Sequence, residues 1–307
     1  MLLKDERALL GEVLADPDWL ADVCELPAAT LRPLLPYYLP LARDIAQRRS
    51  ATNSSLLVGV QGPQGAGKST LVKILAAVLE RLAGLQVALL SIDDIYLTRA
   101  QRRALAERVH PLFITRGVPG THDIPLGVEV LESLTRSGPT AIPRFDKAID
   151  DRIPEANWPV VRGPCDVVLF EGLWIGLPPI PPSQLDRPFN ALEEHEDADG
   201  TWRRHANDAL ATEYPSLFAR CELLVHLQVP DFACVRRWRS DAEHKLRARL
   251  EARGADTSRV MDEAALGRFF AHYERFTAHA MATLPDRADA ILRLDRDHRV
   301  VESTRFR

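Results

Sequence analysis

Residues 62–69, Gly-Pro-Gln-Gly-Ala-Gly-Lys-Ser, fit the pattern G-x-x-x-x-G-K-[ST], whose residue types suit a phosphate group. Small residues let successive backbone N–H groups turn inward around a phosphate, and a helix that begins there adds the positive end of its dipole. The lysine reaches the terminal phosphate oxygens, and the serine hydroxyl ligates Mg²⁺. The pattern therefore predicts a nucleotide-phosphate site formed by Gly62, Gly65, Ala66, Gly67, Lys68, Ser69 and Thr70, with Ser69 as a metal ligand.

Lysine is scarce in this chain, which gives Lys68 more weight. Of the 39 basic residues only five are lysines, namely Lys4, Lys68, Lys73, Lys147 and Lys245. A lysine at the position where the phosphate pattern requires one argues against a chance match.

Carboxylates follow two further apolar runs. Asp93 and Asp94 come just after residues 87–91, and Glu171 comes directly after residues 167–170. In an α/β sheet, ligands bind beyond the carboxyl ends of the strands. A carboxylate there can accept the proton of a hydroxyl that attacks a γ-phosphate, while Glu171 suits Mg²⁺, directly or through water. The alternative for Asp93 or Asp94 is to cap the helix that follows, and we assign one of the pair to each role.

Short apolar runs alternate with longer helical patterns, which predicts an α/β fold with a mostly parallel central sheet. A helix is expected over 69–83, ended by Gly84. Residues 1–50 read as an N-terminal helical extension packed on a main domain at 51–307, and the Pro- and acid-rich residues 178–199 read as a surface excursion. The predicted strands lie at 56–60, 87–91, 167–170, 223–227 and 290–294.

Composition excludes several classes of function. The 307 residues are 46% hydrophobic with a net charge of -4, which argues against a general affinity for nucleic acid or anionic membranes. No apolar run approaches the roughly 18–20 residues that span a bilayer, and charges interrupt the N-terminus where a signal peptide needs apolar residues. Four scattered cysteines lack zinc-site spacing and indicate reduced thiols. We expect a cytoplasmic protein with no obligate protein partner.

Five segments in order carry a family resemblance: GPQGAGKST, SIDDIYL, RGVPGTHD, PRFDKAIDDR and VVLFEGLWIG. Together they resemble the P-loop kinases of small hydroxylated metabolites, the group of uridine kinase, phosphoribulokinase and type I pantothenate kinase. Within that group the chain is most similar to the plant-type D-glycerate 3-kinases and their bacterial and fungal relatives, over about residues 30–300. The resemblance implies a P-loop NTPase three-layer sandwich.

The resemblance also implies roles for individual residues. Asp93 matches the general base, Tyr96 an aromatic residue near the substrate, and Glu171 the acid associated with Mg²⁺. A helix around 231–252 matches the arginine-bearing lid, where Arg239 is favoured over Arg236 and Arg237. Asp150 stands where nucleoside kinases carry a base-contacting histidine, which argues against a nucleoside substrate. The segment similar to the substrate loop holds Arg144, Asp146 and Arg152.

The loop at 115–123 adds candidates for the substrate side. Arg116 and His122 have no evident structural need to be there, while Asp123 suits either substrate binding or an N-cap. Planar bidentate pairing makes arginine the natural partner of a carboxylate, although loop arginines are often merely solvated. The predicted substrate-binding residues are Tyr96, Arg116, His122, Asp123, Arg144 and Arg152.

The resulting hypothesis is an ATP- and Mg²⁺-dependent kinase that phosphorylates a hydroxyl, with Asp93, Lys68 and Arg239 as catalytic residues. The resemblance favours the 3-hydroxyl of D-glycerate. Two alternatives stay open: a kinase for another small metabolite, such as a pantothenate-like acid or a nucleoside, and a regulatory protein that binds ATP without catalysis.

Overall fold

The computed structural model describes residues 6–16, 18–52, 54–253, 256 and 261–306, apart from the side chains of residues 6, 7, 245 and 246. A six-stranded sheet lies at its centre, accompanied by two small two-stranded sheets. In chain order the strands are β1 (Leu56–Gln61), β2 (Val87–Ser91), β3 (Gly138–Ala141), β4 (Phe145–Asp146), β5 (Asp151–Arg152), β6 (Val160–Gly163), β7 (Val167–Gly172), β8 (Leu223–Gln228), β9 (Ala290–Leu294) and β10 (Val300–Ser303).

The central sheet has the order β10-β9-β8-β1-β7-β2, and its neighbours are parallel except for the antiparallel pair β9 and β10. Alternate residues of the inner strands belong to two different apolar clusters, so both faces are covered. Burial on both faces explains why the predicted strands are continuous apolar runs. The α/β fold class and the five predicted strands are confirmed.

Twelve α-helices of the described residues surround the sheet. Helix α5 begins at Lys68, one residue before the predicted start, and ends at Ala83, where Gly84 adopts a φ of 65°. The helices are α1 (Glu6–Ala15), α2 (Asp18–Cys24), α3 (Ala28–Leu31), α4 (Leu35–Ala51), α5 (Lys68–Ala83), α6 (Arg99–Arg108), α7 (Ile124–Leu134), α8 (Ala191–Glu196), α9 (Thr201–Thr212), α10 (Pro215–Phe218), α11 (Phe232–Ala252) and α12 (Glu263–Thr283).

Helices α2 and α4 pack on α5, while α1 packs on α4 and α3 packs on α2. Leu9 of α1 and Ile45 of α4 are buried in the same apolar cluster as Leu75 of α5. The N-terminal region is therefore helical, as expected, while its separation from a kinase domain at 51–307 stays a prediction.

The prediction of a surface excursion at 178–199 was wrong in part. Helix α8 carries Glu193, which is fully buried, and Asp197 directly after it is 1% exposed. Arg275 of α12 donates to both carboxylate oxygens of Glu193 (2.7 and 2.5 Å), and Arg203 of α9 pairs with Asp197 at 2.9 Å. The acidic composition suggested exposure, but arginines from distant helices pair with these acids inside the protein.

No helix in the described ranges combines the length and the apolar character needed to cross a bilayer. All four cysteines are free.

Replacing Glu193 with Ala should lower the free energy of unfolding by about 3–5 kcal/mol, because it leaves the Arg275 guanidinium buried without its partner. Denaturant unfolding measures this change. Glu302→Ala is the control, since Glu302 pairs with Arg293 at the surface and its loss should cost no more than about 1 kcal/mol. Equal destabilisation by the two substitutions would contradict a structural role for the buried pair.

Candidate nucleotide and acceptor site

Three neighbouring strands bring the predicted chemistry together. Strand β7 lies between β1 and β2, with Gln61 of β1 opposite Gly172 and Ser91 of β2 opposite Glu171. The strands are parallel, so the phosphate loop, Glu171 and Asp93 all leave the sheet at the same edge.

The phosphate loop depends on Gly67 and Lys68. Gly67 has a φ of 95°, a conformation that a side chain would strain, and α5 begins at the next residue. The Nζ of Lys68 donates to the carbonyl of Pro63 at 3.1 Å, and no carboxylate of the described residues forms an ion pair with it. Burial lowers the pKa of Lys68, although Glu171 and Asp93 act in the opposite direction. An arriving phosphate would supply the missing anionic partner.

Ser69 and Glu171 form the candidate metal site. The Ser69 hydroxyl donates to Oε1 of Glu171 at 2.8 Å, so two oxygen ligands already lie side by side. Mg²⁺ binds oxygen and in kinases usually takes one or two protein ligands together with water and phosphate oxygens. The two residues therefore fit a magnesium ion that also binds the nucleotide.

Asp93 lies in a short 3₁₀ turn, Ile92–Ile95, whose N-cap is Ser91. Its carboxylate accepts hydrogen bonds from Tyr96 Oη and Lys147 Nζ, both at 2.6 Å. Burial alone would raise the pKa of Asp93, but Lys147, Tyr96 and Lys68 outweigh it and hold the pKa below its ordinary value. The carboxylate is thus ionised at neutral pH, as a proton acceptor must be.

Asp94 has different partners. It accepts hydrogen bonds from Arg144 at 3.1 Å and from the backbone N–H of Phe145 at 3.3 Å, which anchors the β4–β5 hairpin beside the 3₁₀ turn. Burial raises the pKa of Asp94 despite the Arg144 charge. The cap that we expected from one of the two aspartates is supplied by Ser91 for this turn and by Thr98 for α6.

Lys147 is a site residue that the sequence reasoning missed. It opens the turn between β4 and β5, and the hairpin places its ammonium on Asp93. The available signal was its rarity, since it is one of five lysines and stands within the PRFDKAIDDR segment.

The three arginines predicted to bind a substrate carboxylate all pair with acids of the protein. Each pair ties the hairpin to a neighbouring loop or turn. The pairs are Arg116 with Asp150, Arg144 with Asp94 at 3.1 Å, and Arg152 with Asp123 at 3.0 Å. Asp123 is also the N-cap of α7, through its hydrogen bond with the N–H of Leu126. These contacts favour positioning roles, and direct substrate contact stays a prediction.

Aromatic residues pack around Tyr96, whose hydroxyl donates to Asp93. His122 packs against Tyr96 with ring centroids 4.9 Å apart, and its Nδ1 lies 2.5 Å from Tyr214 Oη. Burial lowers the pKa of His122 to about 3, so the ring is neutral. At Gly117, where φ is 95°, an added Cβ would lie 3.0 Å from the Tyr273 hydroxyl and 3.1 Å from that of Tyr96. Tyr273, another residue missed from the sequence, donates to the Arg116 carbonyl at 2.6 Å.

Helix α11 matches the predicted lid helix in position. A Cβ at Gly65 would lie 3.8 Å from the Cβ of Trp238, so this helix passes close to the phosphate loop. Arg239 pairs with Glu243 one turn later, and its guanidinium carbon lies 5.9 Å from the Phe269 ring centroid. Arg237 donates to the Arg296 carbonyl. Contact between a lid arginine and phosphate stays a prediction.

Comparison with known proteins found relatives among kinases. No family model matches the chain. The chloroplastic D-glycerate 3-kinase of Arabidopsis thaliana is 31% identical over 255 residues, which are 79% of this chain and 52% of that protein. The uncharacterized kinase mug58 of Schizosaccharomyces pombe is 33% identical over 204 residues, which are 63% of this chain and 72% of that protein.

A solved structure of D-glycerate 3-kinase from Cryptococcus neoformans var. grubii superposes with a TM-score of 0.70 at 27% identity, covering 88% of this chain and 97% of that one. The chain belongs to this family of P-loop kinases, which includes D-glycerate 3-kinases. The resemblance expected from the sequence is confirmed. The chain spans about half the length of the Arabidopsis protein.

Replacing Lys68 with Met should weaken nucleotide binding by about 10- to 100-fold, because a charge-assisted hydrogen bond to phosphate is lost. Calorimetric titration with ADP measures the effect. Lys73→Met is the matched control on the same helix, because Lys73 pairs with the exposed Glu25. This variant should bind ADP as tightly as the unchanged protein does. Equal ADP affinity in the two variants would contradict the assignment of the phosphate loop.

Proposed function

We propose that this protein is an ATP-dependent kinase that transfers the γ-phosphoryl group to a hydroxyl of a small hydroxy acid, the 3-hydroxyl of D-glycerate. One observation carries the proposal: an ionised Asp93 carboxylate stands at the sheet edge beside the phosphate-loop Lys68, close enough for each to affect the other's pKa. A proton acceptor beside a phosphate cradle is the arrangement that phosphoryl transfer to an alcohol requires. The names of the Arabidopsis and Cryptococcus relatives favour glycerate as the acceptor.

The reaction follows from these positions. The acceptor oxygen forms a bond to the γ-phosphorus while the bond from that phosphorus to the β,γ-bridging oxygen breaks. The hydroxyl proton passes to Asp93, and the electron pair of the broken bond stays on ADP. Lys68 and the N-terminus of α5 stabilise the phosphate charge, since such preorganised groups act where charge develops.

Mg²⁺, held by Ser69 and Glu171, would neutralise charge on the β- and γ-phosphates. We assign Arg239 to the γ-phosphate as the lid arginine, which requires its guanidinium to exchange Glu243 for the nucleotide. Positioning and electrostatics then account for most of the rate enhancement.

The acceptor side favours an anion over a nucleoside. The hairpin and the neighbouring loop bring four cations to this side of the site, each paired with an acid of the protein: Arg116, Arg144, Lys147 and Arg152. Asp150, at the position where nucleoside kinases carry a base-contacting histidine, is paired with Arg102 at 3.0 Å and with Arg116. A small hydroxy acid can offer one of these cations its own carboxylate in exchange, which an uncharged base and ribose cannot do.

The direct test is a coupled ADP-release assay across D-glycerate, pantothenate and uridine, with ATP and Mg²⁺. We expect turnover with D-glycerate well above the background hydrolysis. Turnover with only another acceptor would assign a different metabolite, and background hydrolysis with every acceptor would favour a nucleotide-binding regulatory protein. A cytoplasmic location is part of the proposal, whereas the name of the Arabidopsis relative places that protein in the chloroplast.

Replacing Asp93 with Asn should lower kcat by about 100-fold or more, because the amide cannot accept the hydroxyl proton. ADP affinity, measured by calorimetry, should stay close to that of the unchanged protein. Asp16→Asn is the control, since Asp16 pairs with Arg81 at the surface. Near-normal turnover by the Asp93 variant would remove this residue from the role of general base.

A further inference from the structure

Lys147 differs from the other cations around Asp93 in how it is held. Its side chain is 60% exposed, compared with 12% for Arg152 and 1% for Arg102. Its ammonium sits on Asp93 Oδ2 at 2.6 Å, and the structure gives it no second acceptor among the described residues. Its position at the start of the β4–β5 turn leaves the long side chain room to move.

Two of the neighbouring arginines, Arg102 and Arg152, are held by several partners each. Arg102 donates to the carbonyls of Leu97 and Ile114 and to Asp150, and Arg152 donates to Tyr96 O and to Asp123. Releasing such a guanidinium would leave buried acceptors unpaired, which costs free energy. Lys147 can leave Asp93 at smaller cost, because most of its side chain is exposed to solvent.

From this contrast we propose that Lys147 determines acceptor specificity by exchanging the Asp93 carboxylate for the carboxylate of the incoming hydroxy acid. The proposal rests on the function proposed above. It assigns acceptor recognition to a lysine instead of to Arg116, Arg144 or Arg152.

The dimensions of glycerate suit this exchange. Two carbon–carbon bonds separate its carboxylate carbon from the carbon that bears the 3-hydroxyl, a distance of about 2.5 Å. An acceptor whose 3-hydroxyl lies against Asp93 therefore places its carboxylate beside the ammonium that Asp93 held before. Glycerol presents a similar hydroxyl but has no anion to offer.

The exchange also changes the charge around Asp93, the proposed general base. The ammonium of Lys147 favours the ionised form of Asp93, so its departure raises the pKa of Asp93 and makes the carboxylate a stronger proton acceptor. The other titratable or charged groups that act on Asp93 or feel its charge are Lys68 of α5, Asp94 and Tyr96 of its own turn, His122 before α7, and Tyr273 of α12.

The test compares Lys147→Gln and Lys147→Arg with the unchanged protein and with Lys73→Gln, whose residue lies outside the site. Steady-state rates are measured with D-glycerate and with glycerol. Binding of D-glycerate is measured by calorimetry on protein saturated with a non-hydrolysable ATP analogue and Mg²⁺.

We expect Lys147→Gln to lower kcat/KM for D-glycerate by about 10- to 100-fold, mainly through KM, and to weaken D-glycerate binding to a similar degree. Glycerol has no carboxylate contact to lose, so kcat/KM for glycerol should fall much less than kcat/KM for D-glycerate, and the preference for the acid falls. Lys147→Arg should recover much of that preference, because it restores a cation. The decline of kcat/KM on acidification should begin at a higher pH in Lys147→Gln, since the Asp93 pKa rises without the ammonium.

The outcomes separate this proposal from the proposed function. D-glycerate turnover by the unchanged protein, together with an undiminished preference and affinity in Lys147→Gln, would overturn the role of Lys147 alone. Equal losses with D-glycerate and glycerol would also overturn it. D-glycerate binding without turnover would overturn the proposed function. Calorimetry would then still test Lys147, because equal D-glycerate affinity in Lys147→Gln and the unchanged protein would overturn its role. Neither binding nor turnover would overturn both.

Discussion

A carboxylate and an ammonium held close together at one edge of a sheet set the main constraint on this structure. Burial disfavours the charged form of both Asp93 and Lys68, and each favours the charged form of the other. The order β2-β7-β1 meets this constraint by placing the ends of three parallel strands side by side. Gly67 meets it locally, because its left-handed conformation starts α5 at Lys68. Without that strand order, the proposed proton acceptor and the phosphate loop would not be neighbours.

Fixed arginine pairs hold the surroundings of that edge in place. Some of these pairs lie beside the site, and others are buried around α8. In each pair, an arginine from one element neutralises an acid from another. Arginine suits this use because it stays charged and donates in several directions from one rigid plane. Lysine carries a point charge on a flexible stem, which suits a contact that must open. The fixed pairs include Arg144 with Asp94, Arg152 with Asp123, and Arg275 with Glu193.

Local pattern made much of the fold predictable. Continuous apolar runs indicated buried parallel strands, and both the phosphate pattern and the α5 cap at Gly84 depend on neighbours in sequence. Ion pairs between residues far apart in sequence could not be predicted in this way. The acidic run at 178–199 was expected at the surface because Arg203 and Arg275, which pair with Asp197 and Glu193, lie on helices α9 and α12. Nothing within the run itself signals those partners.

The sequence by itself determined the phosphate loop, the α/β class and the candidate acids Asp93 and Glu171, because each follows from spacing over a few residues. The tertiary structure decided which aspartate interacts with Lys68 of the phosphate loop and which pairs with Arg144, and it brought Lys147 onto Asp93 from 54 residues away. Both outcomes depend on which charges meet across separate elements. Each pairing depends on the balance between the free-energy cost of desolvating the charges and the gain from ion pairing. Both depend on the three-dimensional surroundings, which a linear pattern does not contain.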